Sequence, residues 1–542
     1  MKRILQIAAV LCLAVSCRSG RERIDVVPEY GPGIAEVKTA QGVVAGYKEG
    51  DLYIFKGLRY AVADRFMPPR EPDSWEGVQP HRVYGPMCPQ GGGMRGGFGL
   101  PDESNNWAYH THSQPQHEDC LRVNIWTPGI GDGKRRPVMV WLHGGAFSAS
   151  SGDLDAAYDG SRLAEKGDVV VLSLNHRLGV MGFLDLSSFG EAYKYSGNLG
   201  ILDLVAALQW VKNNIAAFGG DPDNVTVFGQ SGGGGKVSSL LGTPFSKGLV
   251  HKAIVQSGTS IRMAEAAYTR MVGEETVRLL GLDPSDVDKI RTLPLQDVLT
   301  AGNMALRNCR LRAQELGLET YYWGWSPTID GDFFPEQLDV AFSRGLSGDV
   351  PLLVGSNLNE MRPVRREHGN MTWEDAEAEI RPRLGEKTDE YIRTYRSSYP
   401  ASRPRDLVET DWYFRSLAVM EAIAKSRGGS KVYRYEMDWL SPAQDSVFRC
   451  PHNMEVPFAF NNVHISYGLT GYTEDARMMN RRISDAWISF ARDGVPSSKA
   501  LPAWEPFTEE GWATMILDNT CELRHHHDDR LLELTEVWQQ MP

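Results

Sequence analysis

The chain has little cysteine, seven residues in 542, and no two of them form a CxxC pair. Small zinc and dithiol redox modules are built on that spacing, so its absence argues against both. Positive charge is also in deficit: 57 Lys and Arg against 69 Asp and Glu leave a net charge of −12. This argues against nucleic acid as a partner, because phosphate contacts need clustered Lys and Arg. There is no repeat, no low-complexity tract, and no Pro/Ser-rich or charged linker. What remains is a 42% hydrophobic chain able to bury a large core. Length alone would allow roughly three or four domains. The chemistry-bearing residues lie far apart, however, and one large domain with insertions, residues 35–542, is expected.

Behind Lys2 and Arg3, the apolar stretch from Ile4 to Val15 is too short to cross a bilayer and reads as a secretory signal. It ends Leu13-Ala-Val-Ser-Cys17, where Ala14 and Ser16 fit a signal-peptidase site. The same residues resemble a bacterial lipobox, with Ala14 in place of the more usual leucine. Both readings remove residues 1–16. The lipobox is favoured: Cys17 would carry acyl chains, residues 17–34 would form a tether, and multiple chains anchor stably. Export to the bacterial envelope (periplasm or outer membrane) is expected, with secretion as the alternative. Export permits disulfides. Cys12 leaves with the signal, so Cys88, Cys120, Cys309, Cys450 and Cys521 remain besides Cys17. His525, His526 and His527 read as a solvated terminal segment rather than a metal site.

The apolar runs at 137–142 and 168–174 are nearly continuous, as in strands buried on both faces. Further strands are expected at 122–126, 225–228, 251–256, 350–354 and 430–435, with an early antiparallel hairpin over 42–60. Leu202, Val205, Leu208, Val211 and Ile215 put one apolar side on a helix over 199–216. Helical insertions are read at 268–283 and 373–395, and a surface helix at 474–493. Strands alternating with helices imply an α/β chain on a large, mostly parallel sheet.

The sharpest signal is Gly229-Gln-Ser-Gly-Gly233, directly behind Val225-Thr-Val-Phe228. A serine hydroxyl becomes a nucleophile only with a base in hydrogen-bond reach, and a tight strand-to-helix turn lifts it clear of the sheet. Gly232 to Gly235 followed by Lys236 suggests a phosphate loop, but the spacing fails. Gln230 stands five residues before Gly235, and Val237 follows the lysine. In open α/β sheets ligands sit beyond the carboxyl ends of the strands. There, Glu360 follows the 350–354 strand and His452 follows the 430–435 strand, in the order serine, acid, histidine. His452 can take the serine proton and return it to a leaving alcohol, while Glu360 holds the imidazole tautomer. His176, His251 and His464 are less well placed, and Asp330 and Asp332 read as a turn. The loop His143-Gly-Gly-Ala-Phe147 offers oxyanion donors of the HGGG type, as does Gly232.

These segments, with Glu118 to Pro128, Phe218 to Ser231, Phe55 to Ala61, Cys88 to Gln90 and Asn175 to Arg177, resemble the type-B carboxylesterases. The resemblance runs from about Val37 to near the C-terminus, with the bacterial para-nitrobenzyl esterase-like branch nearest. It implies an α/β-hydrolase fold and hydrolysis of small-molecule carboxylic esters through an acyl-serine intermediate, with no cofactor. It also implies Ser231 as nucleophile, Glu360 as acid, His452 as base, and the N–H groups of Gly145, Ala146 and Gly232 as oxyanion donors. A disulfide between Cys88 and Cys120 is implied, closing an entrance loop that holds Gly91 to Gly99, Trp107 and His110. Two residues depart from the pattern. Gln230 replaces a frequent glutamate, which weakens the case for cationic choline esters, and Ala146 replaces a frequent glycine. Cys450 reads as structural, and Cys309 and Cys521 have no implied partner. Two rivals remain: a catalytically silent adhesion or binding homologue, disfavoured because all three triad members are kept, and an interfacial lipase.

Overall fold

The computed structural model describes residues 27–90, 114–318, 320, 324–361 and 366–536. Its centre is a sheet of eleven strands: β1 (Tyr47–Glu49), β2 (Leu52–Arg59), β3 (Arg122–Thr127), β4 (Arg136–Leu142), β5 (Val170–Leu174), β6 (Gly220–Gln230), β7 (Lys252–Gln256), β8 (Leu352–Asn357), β9 (Val432–Met437), β10 (Thr514–Leu517) and β11 (Glu522–Arg524). They lie in the order β11-β10-β9-β8-β7-β6-β4-β5-β3-β2-β1. From β5 across to β10 every neighbouring pair is parallel. Antiparallel strands close both edges. The expected hairpin is β1 with β2. Val43–Ala45 joins Glu36–Lys38 and Val78–Pro80 in a separate small sheet.

Strands β4 and β5 are buried along their whole length, as their continuous apolar runs predict. Side chains alternate between faces, so Val138, Val140 and Leu142 enter one core and Met139 and Trp141 the other. Each such fully buried side chain contributes roughly 1.5–3 kcal/mol of apolar burial. Both faces of the sheet are therefore covered.

The helix Leu199–Asn214 buries Ile201, Leu204, Leu208 and Val211, while Leu202 and Val205 are only half-buried. The expected side is thus displaced. Steps of three residues drift around a helix, whereas alternating steps of three and four hold one face. The helix Glu474–Asp493 is amphipathic. Thr473 caps it by accepting from Ala476 N–H, and Met479, Ile483, Trp487 and Phe490 face inward. Trp487 Nε1 donates to Gln256 Oε1 at the end of β7, 3.1 Å away.

β5 lies on one side of β4 and β6 on the other. Such a reversal of strand order opens a crevice at the carboxyl ends of the strands. The loops leaving β4, β6, β8 and β9 all emerge at that end.

Candidate active site

Ser231 joins β6 to the helix Gly232–Leu241 with φ 58° and ψ −130°. A non-glycine residue in this region costs of order 1–3 kcal/mol and persists only where its surroundings enforce it. Here the Ser231 N–H donates to Gln256 O (2.9 Å), and its carbonyl accepts from Gly235 N–H (3.1 Å). A Cβ on Gly258 would stand 1.8 Å from the Ser231 carbonyl oxygen, so only glycine lets the loop after β7 brace the turn. Ser231 remains partly exposed while Gln230 and Gly232 are buried.

The loop after β4 lies against this turn. Gly145 and Ala146 have φ of 85° and 52° and are partly exposed. A Cβ on Gly232 would lie 2.4 Å from Ala146 N and 2.2 Å from its carbonyl oxygen. The two backbones therefore touch. Gly232 opens its helix, so its N–H has no intrahelical acceptor. A Cβ on Gly144 would sit 3.3 Å from Ser231 Cβ. The glycine run is thus a packing device: it presses the helix onto the loop.

Glu360 and His452 are both fully buried and meet through a short hydrogen bond between His452 Nδ1 and Glu360 Oε2. The second carboxylate oxygen accepts from Asn357 N–H at 2.7 Å. Their backbones are tied as well, His452 N–H donating to Glu360 O at 3.0 Å. A carboxylate on Nδ1 selects the tautomer whose Nε2 carries the lone pair. The Phe414 ring packs on the imidazole, with centres 4.9 Å apart. Beneath the pair lies Glu455, which accepts from Asn357 Nδ2 (2.6 Å) and Ser257 Oγ (3.3 Å). Burial, then the charge of Glu360, pushes the Glu455 carboxyl up. Ser257 precedes the Gly258 that braces Ser231, so one polar chain links the turns after β7, β8 and β9.

The competing residues are engaged elsewhere. His176 is buried in a stack on His143, with centres 5.2 Å apart. His251 accepts from Val225 N–H just ahead of β7. Asp330 accepts from the backbone of Asp332 and Phe334 as the turn it was read to be, and Asp332 pairs with Lys194 at 2.6 Å.

Cys88 and Cys120, for which the resemblance implies a disulfide, lie side by side. Both are buried thiols, and the hydrogen bond from Cys88, then burial, pushes the Cys120 thiol well up. The three terminal histidines are not uniformly solvated, because His527 is buried against Tyr399, with ring centres 4.8 Å apart. Cys450 is buried, its thiol 3.1 Å from Met437 O and pushed up by burial, which leaves it no nucleophilic character. Cys309 is likewise buried, and Cys521 is half-buried. Cys17, with the rest of 1–26, and Gly91 to Gly99, Trp107 and His110 lie outside the described residues.

The carboxylesterase family profile matches residues 34–533. A para-nitrobenzyl esterase of Bacillus subtilis is 37% identical over 505 residues, covering 90% of this chain and 96% of its own. A fumonisin B1 esterase of Sphingopyxis macrogoltabida is 32% identical, with 87% and 84% covered. Among solved structures, a Clostridium hathewayi esterase that can hydrolyse aliphatic aromatic polyesters superimposes with TM-score 0.84 at 33% identity. That match covers 94% of this chain and 99% of the other. A thermophilic para-nitrobenzyl esterase gives 0.73 at 33% identity, covering 92% and 99%.

Proposed function

The chain belongs to the carboxylesterase family and is a carboxylic-ester hydrolase of the α/β-hydrolase fold, and on that premise we propose that Ser231, His452 and Glu360 carry the reaction. His452 Nε2 takes the Ser231 hydroxyl proton as Oγ attacks the ester carbonyl carbon. The negative charge that develops on the carbonyl oxygen meets the N–H groups of Gly145, Ala146 and Gly232. When the tetrahedral intermediate collapses, the imidazolium hands its proton to the departing alcohol. Water then repeats the sequence on the acyl-serine and releases the acid. Glu360 keeps Nδ1 protonated and offsets the transient positive charge.

The observation that carries this reading is the fully buried Glu360–His452 pair at the same sheet end as a serine held at φ 58°. Small-molecule esters are the substrate class that the relatives' names support. Neutral Gln230, buried beside Ser231, disfavours cationic esters.

Ser231→Ala tests the proposal. Turnover of a nitrophenyl ester is expected to fall by at least about 10⁴-fold with the fold kept. Near-wild-type turnover by a folded Ser231→Ala protein would refute the assignment.

A further inference from the structure

The helix behind Ser231 turns one face to the oxyanion loop. Positions 232, 233 and 236 share that face, being three and four residues apart. At the first two, glycine lets backbone meet backbone: a Cβ on Gly233 would lie 2.0 Å from Leu142 O and 3.0 Å from His143 O. The third position is Lys236. Its side chain is completely buried, and Nζ donates to His143 O at 2.8 Å, with His143 Nδ1 at 3.5 Å.

We propose that Lys236 is a positioning residue for ester hydrolysis: it fixes the orientation of the oxyanion loop relative to Ser231. This rests on the catalytic reading of Ser231 given above. In a trans peptide the N–H of each residue points opposite to the preceding carbonyl, and no cis bond occurs among the described residues. Lys236 holds the His143 carbonyl, which directs the Gly144 N–H the other way. His143 Nδ1, beside the same lysine, holds the Gly144 carbonyl at 2.8 Å, and this orients the Gly145 N–H. The Gly145 carbonyl accepts from Ser148 and Ala149 N–H (3.1 and 3.0 Å), and this orients the Ala146 N–H. Three successive carbonyls are thus held: the second and third aim the donor N–H groups of Gly145 and Ala146, and the first fixes the peptide that leads into them. The lysine sets the first.

The lysine does so as a buried hydrogen-bond donor. Burial pushes its amine well down, and burial, then the neighbouring Lys236, does the same to the imidazoles of His143 and His176.

Lys236→Met removes the donor while keeping most of the volume. Its kcat for a nitrophenyl ester, normalised to sites titrated with a fluorophosphonate, is expected to drop by about 10- to 100-fold, less than the loss of a whole oxyanion donor. KM should stay within about threefold, because ground-state binding does not use the donors. Inhibition by an aryl trifluoromethyl ketone, whose serine adduct carries an oxyanion, should weaken by the same factor as kcat. Lys236→Gln, with a shorter N–H donor, should restore part of both. A lower melting temperature with unchanged per-site kcat and ketone affinity would overturn the proposal. Should Lys236→Met not fold, the donor-free Lys236→Leu takes its place, and per-site kcat and ketone affinity equal to wild type there overturn it equally. Ser231→Ala in parallel separates the two claims. Turnover kept there defeats the catalytic reading itself, whereas turnover lost there and kept in the Lys236 variants defeats only this inference.

Discussion

Glu360→Gln changes one atom and discriminates between the roles a buried glutamate can play. In the native pair one carboxylate oxygen accepts from His452 Nδ1 and the other from the Asn357 backbone N–H at 2.7 Å. Glutamine has one oxygen and one NH₂ group to place in the same two positions. The backbone donor is fixed and buried, so turning NH₂ toward it would set two donors face to face, at a cost of about 1–3 kcal/mol. The amide therefore keeps its oxygen on Asn357 and presents NH₂ to Nδ1. That forces the lone pair onto Nδ1 and the proton onto Nε2, the tautomer that cannot accept a serine proton. An imidazole locked this way costs about 10⁴-fold in kcat, or roughly 5 kcal/mol of barrier. Nitrophenyl-ester kinetics should show that loss in kcat with KM little changed, and fluorophosphonate labelling of Ser231 should slow by a similar factor. Circular dichroism should show a folded protein. A folded Glu360→Gln enzyme within tenfold of wild-type kcat would refute the assignment of Glu360 and direct attention to Glu455.

Two further outcomes are expected. Burial, then the charge of Arg122, pushes the His81 imidazole down to about 4, from 6.5 in an unfolded chain. Above pH 6.5 it is neutral in both states. As pH falls from 6.5 toward 4 the unfolded chain takes up the proton first, so stability is lost by up to ~1.4 kcal/mol per pH unit. Urea unfolding across that window should be less pH-sensitive in His81→Gln, and equal slopes would contradict this. At the N-terminus, we expect mass spectrometry of membrane-fraction protein to find Cys17 as the first residue, carrying acyl chains. An unmodified Cys17 would instead favour secretion.

Much of this architecture is readable in the sequence because burial on both faces writes continuous apolar runs, as at 137–142 and 168–174. Ser231 and Glu360 are readable for a related reason, standing close behind such runs, and His452 by its order after them, well past the end of β9 at Met437. The support beneath them is not. Asn357, the last residue of β8, and the loop residues Ser257 and Glu455 have no period to give them away, and they acquire a joint meaning only when β7, β8 and β9 lie side by side. Lys236 is visible only as the end of a failed phosphate motif, because a glycine run does not say what it presses against. The burial of His527 against Tyr399 likewise joins segments more than a hundred residues apart.

That separation also governs how the site comes into being. Glu360 and His452 are 92 residues apart, and Ser231 lies well upstream of both. A nascent chain ending before residue 350 holds a nucleophile with no base. A fragment beginning after Ser231 holds a base with nothing to deprotonate. Contacts this distant along the chain close late, after the central strands have found their order. Esterase activity is therefore a reporter of the finished fold, and its return during refolding should trail the recovery of secondary structure.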